Sequence, residues 1–214
     1  MSEIAPSILT ETADEYQAMV QKLAPFAKRV HIDISDGEFA PTFLLPENQL
    51  SWPPTWRVDI HAMVLRPQEH LAGLINLKPN LIIFHVETGI NMIPILQQVK
   101  AAGIKAGIAL LKPTVPSTIA DVIQEADHVM VFSGELGNYG GTASLMQLEK
   151  VRLIKAIKPD VEIGWDGGVN VDNAYTLTQG GVSVLNVGSA IANAEDPALT
   201  YNELVKQISK HGVI

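Results

Sequence analysis

Histidine and aspartate side chains stand near the ends of apolar runs that have the composition of buried strands. His31 and Asp33 lie in RVHIDI, His61 lies in VDIHAMV, and Asp166 lies in EIGWDG. Burial of an imidazole or a carboxylate without a partner costs several kcal/mol, so a group of four requires a compensating charge. Two imidazoles and two carboxylates suit a divalent metal such as Zn²⁺, Mn²⁺, Fe²⁺ or Co²⁺. We predict that these four residues are its ligands, although each one alone also fits a hydrogen-bonded strand end.

A second polar pair, His85 and Glu87, lies on one face of the run LIIFHVE. Such a pair can orient a metal-binding imidazole through its free N–H group. The alternative is that both residues cap a loop at the top of a strand. His70, His128 and His211 have no comparable setting, and we assign no function to them.

Small residues follow the last two apolar runs, in places where a phosphate group could bind. Gly167 and Gly168 follow EIGWD, and Gly188 and Ser189 follow VLNV. Main-chain N–H groups in such loops can hold an anion without a basic side chain. We therefore expect these four residues to contact a phosphate group of the substrate.

A longer glycine-rich segment, 133–142, lies between the sixth and seventh runs and contains Gly140 and Gly141. One interpretation is a mobile lid that closes over the ligand and brings these two glycines to it. The other is a long surface connection.

The elements that must position these residues alternate along the chain. Predicted strands, which are short apolar runs rich in Val and Ile, cover 4–9, 29–34, 58–64, 81–87, 106–111, 128–133, 162–167 and 184–188. Helical spacing lies between most of them, at 12–27, 91–103, 116–126, 144–158 and 197–210. The proline-rich stretch 39–57 predicts a loop with one short helical turn.

The repeat of strand and helix predicts a single (β/α)₈ barrel over residues 1–214. Successive strand ends are about 26 residues apart, which suits one strand, one helix and two short connections. Eight such units match a closed barrel, with the active site at the carboxyl ends of the strands. An open flavodoxin-like or Rossmann sheet is the alternative, and no GxGxxG segment follows the first strand.

Charge and composition exclude several classes of partner and site. The chain has 23 Asp and Glu residues against 15 Lys and Arg, which argues against nucleic-acid binding because that requires a basic face. Cysteine is absent, so thiolate metal sites and disulfides are excluded. Neither a secretory signal nor an apolar run of membrane-spanning length is present, so we expect no membrane contact and a cytoplasmic location.

Seven segments together resemble the ribulose-phosphate 3-epimerase family nearly end to end. They are APSIL at 5–9, HIDISDGEFAPT at 31–42, HAMV at 61–64, FHVE at 84–87, IALLKP at 108–113, GWDGGVN at 164–170 and NVGSAI at 186–191. The resemblance implies a (β/α)₈ barrel that interconverts D-ribulose 5-phosphate and D-xylulose 5-phosphate through a metal-stabilised enediolate. The implied partners are a sugar-phosphate substrate and, in a homo-oligomer, further copies of the chain.

The same resemblance implies roles for individual residues. His31, Asp33, His61 and Asp166 match the metal ligands, and the two aspartates also match the acid and base groups. Inversion of a carbon beside a carbonyl group needs one such group on each face of the substrate. Ser7 matches the serine beside the sugar, and Met63 matches a methionine that flanks the reacting carbons.

This chain departs from the family pattern at three places. Ser35 stands where HxDxMDG has methionine, and Phe132 replaces the methionine at the end of strand six. The NPGFGGQ loop is replaced by a longer ELGNYGGT, which adds Glu135. These changes leave open a different sugar-phosphate substrate, or a barrel that binds sugar phosphate without catalysis.

A decarboxylase or aldolase of the same superfamily is a weaker alternative. The decarboxylases carry DxKxxD on strand three, where this chain reads DIHAMV. Lys112 at the end of strand five has a counterpart in the epimerase motif KPGT, and we interpret it as structural.

Overall fold

Eight parallel strands close into a barrel in the computed structural model, which describes residues 2–210. The strands follow chain order as β1 (Glu3–Ile8), β2 (Arg29–Ser35), β3 (Arg57–Met63), β4 (Leu81–His85), β5 (Lys105–Leu110), β6 (His128–Phe132), β7 (Glu162–Asp166) and β8 (Val184–Val187). Because β8 pairs with β1, the sheet has no free edge. The predicted (β/α)₈ barrel is confirmed, and the open-sheet alternative is wrong.

Helices surround the barrel on its outer face. The α-helices among the described residues are α1 (Ala13–Leu23), α2 (Pro67–Asn76), α3 (Met92–Ala101), α4 (Ala120–Glu125), α5 (Leu148–Ile157), α6 (Ala174–Gln179), α7 (Ser189–Ala192) and α8 (Pro197–Ile208). The predicted helical segments match α1, α3, α4, α5 and α8, and they include neither α2, α6 nor α7. None of the helices within residues 2–210 has the length and apolar character needed to cross a bilayer.

The connection between β2 and β3 is the predicted proline-rich loop. Within the described residues 36–56 it contains only one short 3-10 helix, Glu47–Gln49, as the proline content predicts. Leu44 of this loop packs in a cluster with Met63 of β3, and Leu50 belongs to the main apolar core, so the loop is anchored to the barrel at both positions. The sequence pattern therefore correctly identifies this connection, between β2 and β3, as the β/α unit in which no α-helix is present among the described residues.

Strands β2 and β3 have two chemically different faces, because successive side chains of a strand point in opposite directions. Val30, Ile32 and Ile34 belong to the apolar layer between the barrel and the helices. His31 and Asp33 alternate with them and face the barrel interior, where they are buried. The alternation in the sequence thus decides which residues can reach the site.

An ion-pair network fills the amino-terminal end of the barrel. Arg29 is 2% exposed, and its Nε is 2.6 Å from Oδ2 of Asp59. The same guanidinium pairs with Glu162 at 2.8 Å and with Glu3 at 3.0 Å. His128 binds Glu162 from the next strand, through Nδ1 at 2.7 Å. These charges stabilise the end of the barrel opposite the predicted site.

Met1 and residues 211–214 lie outside the described residues, and so does His211. The limits of the predicted domain, 1–214, therefore stay a prediction.

Candidate active site

The four predicted metal ligands come together at the carboxyl-terminal end of the barrel. His31 and Asp33 belong to β2, His61 belongs to β3, and Asp166 ends β7. One potential ligand atom from each residue lies within 4.8 Å of the others. Nδ1 of His61 is 2.7 Å from Oδ1 of Asp33 and 3.8 Å from Oδ2 of Asp166. The predicted convergence of these residues is thus confirmed.

His31 lies between the two carboxylates. Its Nε2 atom is 3.3 Å from Oδ1 of Asp33 and 3.4 Å from Oδ2 of Asp166. Burial lowers the pKa of His31, but the negative charges of both aspartates outweigh burial and raise it to about 10. Burial raises the pKa of Asp33, and the neighbouring His31 and His61 outweigh that effect and hold it well below its usual value. The site therefore favours positive charge between its carboxylates.

The residues of this cluster fit a divalent cation. Within residues 2–210, Nδ1 of the fully buried His31 has no hydrogen-bond partner, and Nε2 makes no well-aligned hydrogen bond although the two carboxylates lie 3.3 and 3.4 Å from it. Buried polar atoms normally have one, so these nitrogens are suited to an additional partner. Imidazole nitrogen and carboxylate oxygen are ligands that Zn²⁺, Mn²⁺, Fe²⁺ and Co²⁺ accept, and a cation would take the place of the proton on His31. The cluster is able to bind a metal.

A second histidine supports the cluster from β4. Nε2 of His85 lies 2.8 Å from Nε2 of His61, and both rings are fully buried. Nδ1 of His85 lies 3.3 Å from Oε2 of Glu87. Burial lowers the pKa of His85 to about 4, so this ring is neutral near pH 7. The geometry supports the interpretation of His85 and Glu87 as residues that orient a ligand imidazole.

Glu87 is itself fixed by the loop after β5. Its Oε1 atom accepts hydrogen bonds from the main-chain N–H of Leu111, at 2.7 Å, and from the hydroxyl of Thr114. Lys150 on α5 donates to the carbonyl oxygens of Leu111 and Lys112, at 2.6 and 2.9 Å. A continuous set of contacts thus runs from α5 to the cluster of candidate metal ligands.

One pocket contains both aspartates and most of the predicted substrate-binding residues. Besides Asp33 and Asp166, it is lined by Ser7, Met63, Gly140, Gly167, Gly168, Gly188 and Ser189. Of the predicted substrate-binding residues, only Gly141 is not part of this lining; it lies against the main chain of Gly134. The predicted ligands His31 and His61 are buried below the pocket and do not line it either. Carboxylates, apolar groups and loop main chain therefore surround one space.

Tyr139 ties the loop after β6 to the opposite side of the pocket. Its hydroxyl accepts a hydrogen bond from the N–H of Leu9 at 2.9 Å and donates to the carbonyl of Ser7 at 3.3 Å. Burial raises the pKa of Tyr139 to about 12, so the hydroxyl keeps its proton. The predicted lid segment thus lies across the mouth of the barrel.

Positions 167 and 168 require glycine because the loop after β6 packs directly against their main chain. Both have positive φ, +102° and +73°, which favours glycine. A Cβ atom on Gly167 would overlap the main chain of Gly134, and one on Gly168 would overlap that of Ala143. The DGG motif therefore allows the loops after β6 and β7 to pack together over the pocket.

The residues outside the predicted set include three whose side chains make the contacts described at the site. They are Tyr139, Lys150 and Asn186, and Asn186 lines the pocket from β8. Only Asn186 carries a recognisable signal, since it is the single polar residue of the strand VLNV. The contacts of Tyr139 and Lys150 join segments far apart in the chain, and no local pattern predicts them.

Comparison with known proteins identifies the family. A model of the ribulose-phosphate 3-epimerase family matches residues 3–192. The chain belongs to the ribulose-phosphate 3-epimerase family. Ribulose-phosphate 3-epimerase of Mycobacterium tuberculosis is 30% identical over 215 residues, which cover 95% of this chain and 92% of that protein. The Aquifex aeolicus protein of the same name is 28% identical over 207 residues, which cover 92% of each chain. Family membership makes this protein an isomerase.

Solved structures support the fold at much lower identity. The 3-hexulose-6-phosphate synthase of Salmonella typhimurium superposes with a TM-score of 0.71 at 15% identity and covers 98% of this chain and 100% of its own. A Mycobacterium tuberculosis tryptophan synthase chain gives 0.70 at 15% identity, with 98% and 93% coverage. These similarities show the barrel alone.

The three departures from the epimerase pattern have different positions in the structure. Phe132 lines the pocket, and its ring centre is 5.8 Å from that of His61. Ser35 shares the interior face of β2 with Asp33 and is the register partner of Met63, although it is not among the residues that line the aspartate pocket. Glu135 is exposed at the pocket rim. Of the three, Phe132 is the one whose ring packs against a histidine of the ligand cluster.

Proposed function

We propose that this protein is a metal-dependent 3-epimerase of a ketose phosphate that interconverts D-ribulose 5-phosphate and D-xylulose 5-phosphate. The observation that carries the proposal is the approach of Asp33 and Asp166, from strands β2 and β7, to the same nitrogen of His31 at 3.3 and 3.4 Å. Both carboxylates line one pocket. Two acid and base groups at one substrate carbon are what inversion of that carbon requires.

In this proposal Asp33 and Asp166 transfer the protons. One aspartate, as the carboxylate, removes the proton from the carbon beside the carbonyl group, and the other, as the protonated carboxylic acid, delivers its proton to the opposite face, so the two exchange protonation states in each turnover. The low pKa of Asp33 keeps it ionised before the reaction, as a base must be. In the reverse direction the two residues exchange roles, because the same groups serve both epimers.

His31, Asp33, His61 and Asp166 would hold the divalent metal, which is Zn²⁺, Mn²⁺, Fe²⁺ or Co²⁺ by its ligand types. When bound, the cation supplies Lewis-acid stabilisation of the negative charge that develops on the substrate oxygens. His85 and Glu87 orient His61 for this contact.

The phosphate group would bind where the loops after β7 and β8 meet the pocket. Gly167, Gly168, Gly188 and Ser189 line that part of it. Main-chain N–H groups can bind a phosphate there, which suits a chain of net charge −8. Gly140 would approach the same group from the closed loop, while Ser7 and Met63 contact the sugar.

The decisive experiment is proton exchange in D₂O with the purified protein. We expect NMR to show that D-ribulose 5-phosphate exchanges its C3 proton with solvent and forms D-xylulose 5-phosphate. A chelator should abolish both processes, and addition of Mn²⁺, Co²⁺, Fe²⁺ or Zn²⁺ should restore them.

Other outcomes of the same experiment separate the alternatives. Exchange with a hexulose phosphate alone would show a different sugar substrate. Binding of sugar phosphate without exchange of any carbon-bound proton would show a non-catalytic barrel and overturn the proposal. Trapping of a covalent adduct by borohydride would indicate aldolase chemistry instead. The homo-oligomeric state stays a prediction, which light scattering of the eluted protein tests.

A further inference from the structure

Asn186 is a polar side chain in an otherwise apolar strand. Its neighbours Leu185 and Val187 belong to the apolar layer against the helices, so Asn186 faces the barrel interior. The residue is 2% exposed. An interior amide on this strand must therefore find its hydrogen-bond partners inside the barrel.

The hydrogen bonds of Asn186 are incomplete. Its Nδ2 group donates to the Sδ atom of Met130 at 3.1 Å, and a thioether is a weak acceptor. Its Oδ1 atom has no hydrogen-bond partner in the part of the chain that the structure describes. A buried carbonyl without a partner costs about 1–3 kcal/mol, so the position is unfavourable unless a further group binds there.

The amide lies beside the reacting groups. Asn186 is the register partner of Asp166 in the pairing of β7 with β8, and both residues line the same pocket. The hydroxyl of Ser7, on the other neighbouring strand, is also buried, lines this pocket, and lacks a partner within residues 2–210. Unpaired polar groups on adjacent strands are therefore directed at one space.

The order of residues along β8 indicates which group of the substrate would contact the amide of Asn186. Asp166 is at the level of Asn186, and Gly188, in the proposed phosphate site, follows two residues later. A ligand that extends from the aspartates to the phosphate loops passes Asn186 between its ends. In a pentulose 5-phosphate that reacts at C3, the group between these ends is the C4 hydroxyl.

We propose that Asn186 is a specificity-determining residue whose side-chain amide binds the C4 hydroxyl of the sugar phosphate. The inference rests on the proposed function, which supplies the orientation of the substrate. A hydroxyl group can donate a hydrogen bond to Oδ1, which completes the amide. A site built to bind a hydroxyl discriminates against a ligand that lacks it, because its own polar group is then left unpaired.

The test compares D-ribulose 5-phosphate with its analogue that lacks the C4 hydroxyl, in the metal-loaded protein. The rate of C3 proton exchange at low substrate concentration, measured as kcat/KM, should favour the hydroxylated substrate by about 10- to 100-fold in the wild type. In Asn186→Leu, a change of similar volume, the preference should fall to about 3-fold or less. Met130→Leu removes the thioether and keeps the amide, so it should keep the wild-type preference.

An unchanged preference in Asn186→Leu would overturn the inference and would leave Asn186 as a residue that binds internal water. If the leucine variant does not fold by circular dichroism, Asn186→Ala serves the same comparison. Absence of exchange by the wild-type protein with any ketose phosphate would instead refute the proposed function. The two failures are therefore distinguishable.

Discussion

The Nε2 atoms of His61 and His85 face each other at 2.8 Å inside the barrel, so only one of them carries a hydrogen. When Nδ1 of His61 offers its lone pair to a cation, the hydrogen lies on its Nε2 atom and is donated to His85. His85 then carries its own hydrogen on Nδ1, which lies 3.3 Å from the carboxylate of Glu87. The carboxylate of Glu87, which can only accept a hydrogen bond, therefore fixes which ring nitrogen of His85 and of His61 carries the hydrogen.

Glu87→Gln should therefore weaken metal binding, although residue 87 is not itself a metal ligand. The N–H of Leu111 would hold the glutamine carbonyl, because it donates to Oε1 of Glu87. The glutamine NH₂ group would then donate a hydrogen bond to Nδ1 of His85, so the hydrogen of His85 would lie on Nε2. His85 would donate that hydrogen to Nε2 of His61, and the hydrogen of His61 would lie on Nδ1, where it blocks the lone pair that binds the metal. We expect a loss of about 10- to 100-fold in affinity, measured by calorimetric titration of metal-free protein with Mn²⁺ or Co²⁺.

The matched control is Glu47→Gln. Glu47 pairs with His70 at 3.1 Å, and neither residue belongs to the cluster of candidate metal ligands. This variant should bind metal as the wild type does. Equal affinities for Glu87→Gln and the wild type would show that Glu87 does not set the hydrogen positions of His61.

Asp33→Asn and Asp166→Asn should each lower kcat by at least about 10³-fold, because an amide cannot transfer the proton. Turnover of D-ribulose 5-phosphate is the measurement, and metal content is determined for each variant, since both residues also lie in the ligand cluster. Asp172→Asn, an exposed change at the same end of the barrel, is the control. A variant of Asp33 or Asp166 that keeps more than about a tenth of the rate, a loss below about 1.4 kcal/mol, would refute its role.

Tyr139→Phe should loosen the loop after β6. The change removes the hydroxyl that binds the N–H of Leu9, a hydrogen bond that contributes about 1 kcal/mol. Hydrogen exchange of the Leu9 amide should become about 5-fold faster. Tyr175→Phe on α6 should leave that amide unchanged. Unaltered exchange in Tyr139→Phe would show that the hydroxyl does not hold the loop closed.

The network around Arg29 should make the protein sensitive to acid. Burial raises the pKa of Glu162, but His128 and Arg29 outweigh burial and hold it well below its ordinary value of 4.5. The unfolded chain therefore binds a proton first as the pH falls. The stabilisation by Glu162 is complete above about pH 5 and is lost as the pH falls toward the folded pKa.

Glu162→Gln should lower the free energy of unfolding at pH 7 by about 2–3 kcal/mol. It should also reduce the decrease in stability below about pH 5. Urea unfolding at a series of pH values measures both effects. Glu149→Gln, in an exposed pair with Arg152, is the control and should leave the free energy of unfolding unchanged at every pH. If the free energy of unfolding of Glu162→Gln falls below pH 5 as steeply as that of the wild type, Glu162 is not the cause of the acid sensitivity.

Much of the architecture was predictable because it depends on local pattern. All eight strands follow from apolar runs, since the buried strands of a parallel barrel carry apolar side chains toward the helices. The alternation in β2 also shows that His31 and Asp33 share a face that the helices do not cover. Short helices such as α6 and α7 escape prediction because six- and four-residue segments contain too few turns to show a period.

The residue types that form the site were evident in the sequence, and so was the family they resemble. Only the closure of the barrel determines which of these side chains lie close together. Because β8 pairs with β1, Asp166 lies near His31 although 135 positions separate them in the sequence. The contact between His61 and His85 and the hydrogen bond from Leu9 to Tyr139 arise in the same way. So does the position of the Asn186 carbonyl, which has no partner within residues 2–210. Side-chain chemistry is a local property of the chain, whereas a distance between strands depends on how the whole sheet closes.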